Sequence, residues 1–250
     1  MVVVLALIVA AFLIIRWYNT PLPVGPPPVD TTQRVVATIT TLPASEFDAV
    51  GQGSANNTIK AVTGAALTGS TGKPEVFYYG AEFCPYCAAE RWPLIIALSR
   101  FGTFTGLQTS SSSSTDVYPN TPTFTFRSAT YTSQYIDVRA VEGSDRNGNG
   151  LQTPTAAEQQ LISRYDAGGS IPFVDLGNRY ALNGATYSPN VLTGMDWQAI
   201  ADALKDPVTP QSKAILGSAN LFTAAICRLT SNQPSPVCTA PIQALEQKLG

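Results

Sequence analysis

The feature that most constrains the fold is a strand-like segment that leads directly into two closely spaced cysteines. Residues 75–83 (EVFYYGAEF) are rich in β-branched and aromatic residues and are bounded by Gly and Pro, as strands are. The motif Cys84-Pro85-Tyr86-Cys87 follows at once, and residues 85–101 then have a helical pattern that ends at Gly102. The motif is therefore predicted to lie at a strand-to-helix junction.

The rest of the chain predicts an α/β fold. Residues 170–184 (SIPFVDLGNRYALNG) indicate a β-hairpin that turns at Gly177 and Asn178, and Asp196 is expected to cap a later helix. Residues 123–126 and 131–141 alternate as half-buried strands do and are expected to form an inserted hairpin. Further strands are predicted at residues 35–42, 59–67 and 104–109, and helices at residues 43–51, 155–169, 195–206 and 213–229.

The N-terminus has the composition of a membrane anchor. Every residue at positions 2–15 is apolar, and Arg16, Trp17 and Tyr18 follow as residues typical of a bilayer interface. The apolar stretch reaches about 22 Å as a helix, short of the roughly 30 Å hydrocarbon core. Because no small-x-small cleavage site follows, residues 1–18 are predicted to be an uncleaved transmembrane signal anchor, and the proline-rich residues 19–34 a stiff linker.

The 250 residues leave room for one ordinary domain with appendages. We expect this domain at residues 35–206, with an insertion at about 110–154 and an appended helical tail at 207–250. Charged residues make up only 13% of the chain, about half the usual share of roughly 25%, and the net charge is −2. This charge offers nothing to a phosphate backbone, so no nucleic-acid partner is expected.

The position of the two cysteines favours redox chemistry. A thiol reacts as the thiolate, and Cys84 in the first turn of a helix would face unpaired backbone N–H groups and the positive end of the helix dipole. Pro85 suits the first helical position, and Cys87 lies one turn further along. Cys84 is therefore predicted to be the nucleophile that attacks a substrate disulfide, and Cys87 the resolving thiol.

Three alternatives to redox chemistry remain for this pair. The chain has no histidine, so a zinc site would depend on the distant Cys227 and Cys238, and no metal site is expected. A Cu(I) carrier could use the dithiol, but only Met1 and Met195 could assist it. An inert structural disulfide is the third alternative. No cofactor is predicted.

Two segments carry a resemblance to known families. FYYGAEFCPYCAAERW and GGSIPFVDLGNRYALNG together resemble the thioredoxin superfamily, and the CPYC motif is similar to the glutaredoxin dithiol. More closely, the stretch from about residue 35 to residue 238, with CPYCAAERWPLIIALSRFG, DVYPNTPTF and LQTPT, resembles a membrane-anchored thioredoxin-like family catalogued as a domain of unknown function. The resemblance implies a thioredoxin-like fold with an inserted β-hairpin and a C-terminal helical extension.

The resemblance also implies further site residues. Pro172 matches the cis-proline that faces the dithiol, and a cis bond at Ile171-Pro172 would also give the hairpin a tight, rigid start. Ile171 is expected to offer backbone groups to a bound peptide. Glu82 and Phe83 resemble the polar and aromatic residues that precede the motif in thioredoxin-like proteins. Tyr86, inside the motif, is expected to be exposed and to contact substrate.

One position departs from the thioredoxin pattern. Where thioredoxin has a buried acid below the dithiol, this chain has Tyr78, six residues before Cys84. A phenol with a pKa near 10 is a poor proton acceptor for Cys87. Glu90, in the following helical turn, could substitute, although by default it is a solvated helix residue.

The remaining cysteines indicate a structural disulfide. Cys227 and Cys238 enclose a short proline-containing loop, and a bridge there would stabilise the fold by about 3 kcal/mol. Such a bridge favours an oxidising compartment, hence a domain outside the cytoplasm. Arg16 opposes this orientation, because positive charge favours the cytoplasmic side, but a single arginine carries less weight than the cysteines.

Residues 145–150 offer one candidate ion site. Asp145, Asn147, Asn149 and Gly150 match the first half of an EF-hand calcium loop. The second half fails, because Ala156 stands where the bidentate glutamate is required. An ordinary Asn-Gly turn is therefore the preferred interpretation.

Together these observations predict a single-pass, membrane-anchored thiol-disulfide oxidoreductase with its main domain outside the cytoplasm. Its partners would be cysteine-containing exported proteins and a redox partner. The alternative is a non-catalytic thioredoxin-like adaptor at the cell surface, whose Ser/Thr-rich insertion binds a partner.

Overall fold

A computed structural model describes residues 29–250, which form a mixed α/β fold. The α-helices of this part of the chain are α1 (Val29–Thr40), α2 (Ala44–Val50), α3 (Pro85–Ser99), α4 (Ala156–Tyr165), α5 (Trp197–Ala203), α6 (Pro210–Leu229) and α7 (Ala240–Glu246). Its strands are β1 (Lys60–Ala61), β2 (Glu75–Gly80), β3 (Gly102–Thr105), β4 (Gln108–Ser111), β5 (Pro122–Thr125), β6 (Thr130–Ser133), β7 (Asp137–Glu142), β8 (Phe173–Leu176) and β9 (Tyr180–Asn183). A short 3₁₀ helix, Pro189–Leu192, precedes α5.

Five strands form a central mixed sheet in the order β1-β9-β8-β2-β7. Strand β2 runs parallel to β7 and antiparallel to β8, with Tyr78 opposite Ala140 on one side and Val174 on the other. Strands β8 and β9 form the predicted hairpin, which turns at Gly177 and Asn178 with φ of 63° and 55°. Glycine and asparagine tolerate this conformation best, so the prediction of the hairpin and of its turn residues is confirmed.

Strand β2 is covered on both faces of the sheet. Val76 and Tyr78 point into the larger core, whereas Phe77 points to the opposite face and packs in a smaller cluster with Phe173. Side chains alternate between faces along a strand, so an uninterrupted apolar run is expected where both faces are buried. Leu161 of α4 packs on the smaller cluster. The sheet therefore lies between two layers.

Helix α6 belongs to the larger core, where it packs against α3. Residues 214–227 are all buried, which differs from the appended tail predicted for residues 207–250. The physical reason is that apolar and small residues surround most of this helix, so it has no broad polar face to present to water. The side chain of Asn220 is buried too, and it donates hydrogen bonds to the carbonyls of Phe47 and Gly51.

Three strand predictions are wrong. Residues 104–109 are not one strand, because β3 ends at Thr105 and β4 begins at Gln108 in a different sheet. Residues 35–42 lie mostly in helix α1, where Val35 and Ile39 are one helical turn apart and both buried. The β-branched composition favoured a strand, but packing of these two residues overrides that weak preference. Of residues 59–67, only β1 (Lys60–Ala61) is a strand, paired with β9.

The predicted hairpin between residues 123–126 and 131–141 does not form. Strand β5 pairs with β4, β6 pairs with β3, and β7 joins the central sheet beside β2. Alternating polarity identifies half-buried strands but does not specify their partners. Strand β7 lies within residues 110–154, the predicted insertion, so this segment contributes a strand to the central sheet.

The predicted membrane anchor, residues 1–18, lies outside the described residues. Helix α1 begins at Val29, inside the stretch predicted as a linker. Between residues 29 and 250, none of the helices has the length and apolar character needed to cross a bilayer.

Candidate functional site

The two cysteines of the CPYC motif lie where β2 gives way to α3, as predicted. Cys84 is the N-cap residue of α3, and Pro85 occupies the first helical turn. The backbone N–H of Cys87 points at the sulfur of Cys84, with 3.5 Å between N and Sγ. Both thiols are free. The N-cap position directs otherwise unpaired amide groups at Cys84, which is where a thiolate needs them.

The environment of Cys84 favours its thiolate. The side chain of Cys87, which donates a hydrogen bond to the Cys84 sulfur, lowers the pKa of Cys84 to about 7. Burial opposes this effect, and the backbone N–H groups of Cys87 and Tyr86 and the charge of Arg91 add to it. At neutral pH, Cys84 therefore has a larger thiolate fraction than an ordinary thiol.

Cys87 has the opposite character. Its side chain is fully buried, and burial raises its pKa well above the usual value. The neighbouring Cys84 raises that pKa further, because a thiolate at Cys84 repels a second negative charge. The two thiols therefore differ in acidity, with Cys84 the more acidic and Cys87 the less acidic of the pair.

Ile171 and Pro172 lie next to the dithiol. The peptide bond between them is cis, as predicted, and the thiol of Cys84 points at the carbonyl oxygen of Ile171, with 3.8 Å between Sγ and O. Strand β8 begins directly after Pro172 and pairs with β2, which ends just before the motif. Residues 87 positions apart in sequence are therefore brought together by the pairing of two neighbouring strands.

The other residues predicted to contact substrate differ in how exposed they are. Tyr86 is exposed, and its ring meets that of Tyr118 edge to face, with 6.0 Å between centroids. Phe83 is half-buried, and its carbonyl accepts a hydrogen bond from the backbone of Ser113. Glu82 is buried, and its carboxylate accepts a hydrogen bond from the hydroxyl of Thr125. Only Tyr86 of these three presents an exposed side chain.

A groove of about 1040 Å³ begins beside Tyr118. One wall is the segment 111–122, and the other contains Leu192, Met195 and Trp197. Arg146 holds the segment in place, since its guanidinium donates hydrogen bonds to the carbonyl of Ser112 and to the side chain of Asn120. Tyr118 therefore both lines the groove and contacts Tyr86 of the CPYC motif.

Beneath the dithiol lies Tyr78, whose side chain is fully buried. The Tyr78 hydroxyl and the Cys87 sulfur lie 2.2 Å and 3.0 Å from the point that a Cβ on Gly80 would occupy. A glycine is required at position 80, because any larger residue would displace one of these two groups. Tyr78 thus lies below the dithiol, as predicted from its position six residues before Cys84.

Two candidate functional residues were not predicted from the sequence. Arg91 and Glu142 form a fully buried ion pair, with 2.6 Å between Nη2 and Oε2. Arg91 also donates a hydrogen bond to the carbonyl of Ala81 and lies 5.7 Å from the ring centroid of Tyr78. The sequence signal was the pair of charged residues Glu90 and Arg91 inside a mostly apolar helix, and such a pair is ambiguous by itself.

Glu90 does not substitute for the missing acid. Its carboxylate accepts a hydrogen bond from the backbone N–H of Thr186, with 2.8 Å between N and Oε2, and contacts the Thr186 hydroxyl. It is fully buried rather than solvated, and burial raises its pKa to about 7. The default interpretation as a solvated helix residue is therefore wrong, and the carboxylate is engaged by the segment after β9.

The second pair of cysteines is bonded as predicted. Cys227, at the end of α6, forms a disulfide with Cys238, and both residues are buried. The bridge ties the loop before α7 to the core helix, which is a structural role.

The loop 145–150 folds on itself. One carboxylate oxygen of Asp145 accepts hydrogen bonds from the backbones of Asn147 and Asn149, and the other accepts one from the side chain of Asn149. This is an Asx-type turn, which agrees with the preferred interpretation. Among residues 29–250, no three His, Cys, Asp or Glu side chains are grouped so that they could hold a metal ion.

The comparisons with known proteins point to one family. The chain matches no curated protein and no solved structure. A family model described as a domain of unknown function, DUF929, matches residues 61–228. This range includes Cys84, Cys87, Ile171 and Pro172 and covers more than half of the 250 residues. The chain therefore belongs to the family of the domain of unknown function DUF929.

Proposed function

We propose that this protein is a thiol-disulfide oxidoreductase whose reactive groups are Cys84 and Cys87. The observation that carries the proposal is the asymmetry of the pair: the sulfur of Cys84 accepts N–H donors at the start of α3, whereas Cys87 is buried beneath it. Redox-active cysteines occupy electropositive, partly accessible sites of this kind, whereas structural thiols do not.

We also propose that the domain is thioredoxin-like. Supporting this assignment are the strand β2 that leads into the dithiol at the start of α3, and the antiparallel hairpin β8–β9 that follows a cis-proline beside it. Helices on both faces of the mixed sheet agree with such a fold. The residues that would contact substrate are then Cys84, Tyr86, Ile171 and Pro172.

The reaction is a two-step exchange. The Cys84 thiolate attacks one sulfur of a substrate disulfide, which forms a mixed disulfide and expels the second substrate sulfur as a thiolate. Cys87 then loses its proton to solvent, and its thiolate attacks Cys84. The Cys84–Cys87 disulfide forms and the first substrate sulfur leaves, so the substrate is reduced and the protein oxidised. The reverse sequence oxidises a substrate dithiol.

The proposed location is outside the cytoplasm, with residues 1–18 as the membrane anchor. The buried Cys227–Cys238 disulfide supports this location, because such bonds persist in oxidising compartments. The substrates proposed are cysteine-containing exported proteins, with a separate redox partner that resets the dithiol.

A non-catalytic adaptor is the second candidate. It is favoured by the low exposure of Cys84, at 7%, and by the groove between segment 111–122 and residues 192–197. An adaptor would bind its partner there without any covalent step.

Trapping of the covalent intermediate distinguishes the two candidates. The folded, reduced protein is mixed with glutathione disulfide at pH 7, and the products are identified by intact mass. Wild type is expected to end as the Cys84–Cys87 disulfide, and Cys87→Ala to accumulate a mixed disulfide at Cys84. The matched variant Cys84→Ala is expected to remain unmodified. A wild-type protein in which Cys84 does not react would support the adaptor.

A further inference from the structure

Buried hydrogen-bond donors without partners lie near the resolving thiol, Cys87. Its sulfur is fully buried, and the polar atoms beneath it include the hydroxyl of Tyr78 and the guanidinium of Arg91. The Tyr78 hydroxyl forms no hydrogen bond of regular geometry, although it lies close enough to Cys87 for that sulfur to contribute to raising the pKa of Tyr78. The Nη1 atom of Arg91 is likewise buried without a partner. Buried donors left unpaired in this way are rare and require an explanation.

The charged and titratable groups around Cys87 are few. Cys84 and Arg91 act on it directly, and Tyr78 lies below it on β2. Glu142, on β7, is paired with Arg91, and Glu90, on the same helix as Cys87, is bonded to Thr186. Neither carboxylate is therefore free to remove the proton of Cys87.

We propose that Tyr78 is a positioning residue for the resolving step, in which its hydroxyl donates a hydrogen bond to the thiolate of Cys87 while Arg91 supplies the compensating charge. This inference rests on the proposed function. The site would thus stabilise the thiolate with donors after the proton has left to solvent, instead of removing the proton with a buried acid-base group.

The state of Cys84 explains why these donors are unused in the reduced protein. With Cys84 as a thiolate, both the hydrogen bond between the thiols and their repulsion raise the pKa of Cys87. Once Cys84 is bonded to substrate, its negative charge is gone and both effects disappear. Arg91 and Tyr78 then act on Cys87 without that opposition. The unpartnered hydroxyl is therefore available at the step where Cys87 carries a charge.

A two-phase reaction tests this role. The reduced full-length protein is mixed with dithiobis(nitrobenzoate), which releases one coloured thiolate when Cys84 attacks and a second when Cys87 resolves the mixed disulfide. The two rates are followed across a pH series. Removal of a hydrogen bond to a charged group typically costs roughly a factor of ten. Tyr78→Phe is therefore expected to lower the ratio of the second rate to the first roughly tenfold and to move the pH midpoint of the second phase up by about one unit.

Tyr187→Phe is the matched control. Its hydroxyl is also buried and donates a hydrogen bond to the carbonyl of Ala89, so the variant loses a buried phenol hydroxyl that has a different partner. Its rate ratio and pH midpoint are expected to equal those of wild type. Glu142→Gln, which removes the charge that opposes Arg91, is expected to move the midpoint of the second phase down.

Each outcome decides a separate point. A Tyr78→Phe variant with the wild-type ratio and midpoint would overturn the role of Tyr78 while leaving the proposed function intact. A Glu142→Gln variant whose midpoint does not fall would overturn the role of Arg91. A wild-type protein with no first phase would overturn the proposed function and, with it, this inference.

Discussion

The backbone N–H of Cys87 points directly at the sulfur of Cys84, 3.5 Å away, across the first turn of α3. This relationship joins the two thiols in a single electrostatic unit, because the N–H group that stabilises a charge on the Cys84 sulfur belongs to Cys87. The same helical turn therefore separates the two thiols in acidity.

The first prediction concerns the pH dependence of Cys84. Because its pKa is about 7, its alkylation by iodoacetamide should rise with a midpoint near pH 7, while Cys87 stays unmodified in the folded protein. A thiol with a lowered pKa stabilises the folded state as pH rises from about 7 towards the usual value of 9.0. The free energy of unfolding of reduced wild type, relative to Cys84→Ala, should therefore increase over that range. Alkylation with a midpoint near 9 would contradict this prediction.

A second prediction concerns Glu90. The hydroxyls of Thr186 and Ser218 contact each other, and Ser218 donates to the carbonyl of Ala214. The Thr186 hydroxyl also donates to the carboxylate of Glu90, which lowers the pKa of Glu90, but burial raises that pKa by more. A protonated Glu90 agrees with its raised pKa of about 7.

Since the folded state holds this proton more tightly than the unfolded state, stability should fall as pH rises from 4.5 to about 7. The loss is roughly 3 kcal/mol as an order of magnitude. Glu90→Gln reproduces the protonated form and should remove most of this slope in urea unfolding between pH 5 and pH 8. Asp48→Asn, at an exposed site on α2, is the control and should keep the wild-type slope. An unchanged slope in Glu90→Gln would exclude Glu90 as its source.

The third prediction concerns the buried ion pair of Arg91 and Glu142. Removal of one partner leaves an uncompensated buried charge, so Glu142→Leu should lower the free energy of unfolding by about 3–5 kcal/mol. The double variant Arg91→Met with Glu142→Leu should be more stable than Glu142→Leu alone, because it leaves no buried charge. Urea unfolding of the two single variants and the double variant checks this. If the losses in free energy of unfolding of the two single variants add up to that of the double variant, the two residues do not interact energetically.

The two cysteine pairs should differ in their response to reductant. Cys84 is 7% exposed and lies in the same helical turn as the exposed Tyr86, whereas Cys227 and Cys238 are 0% and 3% exposed. A mild thiol reductant should therefore reduce an oxidised Cys84–Cys87 pair first, and alkylation followed by peptide mapping should label only those two residues. Cys227→Ser with Cys238→Ser should lower the free energy of unfolding by about 3 kcal/mol. Early labelling of Cys227 would contradict the assignment of a structural bond.

Several features of the fold were predictable because they depend on neighbouring residues. The hairpin turn needs only two residues that tolerate positive φ, and Gly177 and Asn178 are such residues. The N-cap of α5 needs only a side chain that accepts a hydrogen bond from the backbone N–H three residues later, and Asp196 accepts one from Ala199. Helix α1 was misassigned because Val35 and Ile39 are buried by distant elements that local composition does not reveal.

Local sequence is enough to predict that two thiols stand at the start of a helix, since a strand pattern, a proline and a helical pattern are contiguous there. The groups that surround these thiols come from distant parts of the chain and depend on the three-dimensional packing. Arg91 and Glu142 are 51 positions apart and Glu90 and Thr186 are 96 apart, so no local pattern relates them. Their pairing depends on how α3 packs against the sheet, which brings together groups whose burial then sets their charge.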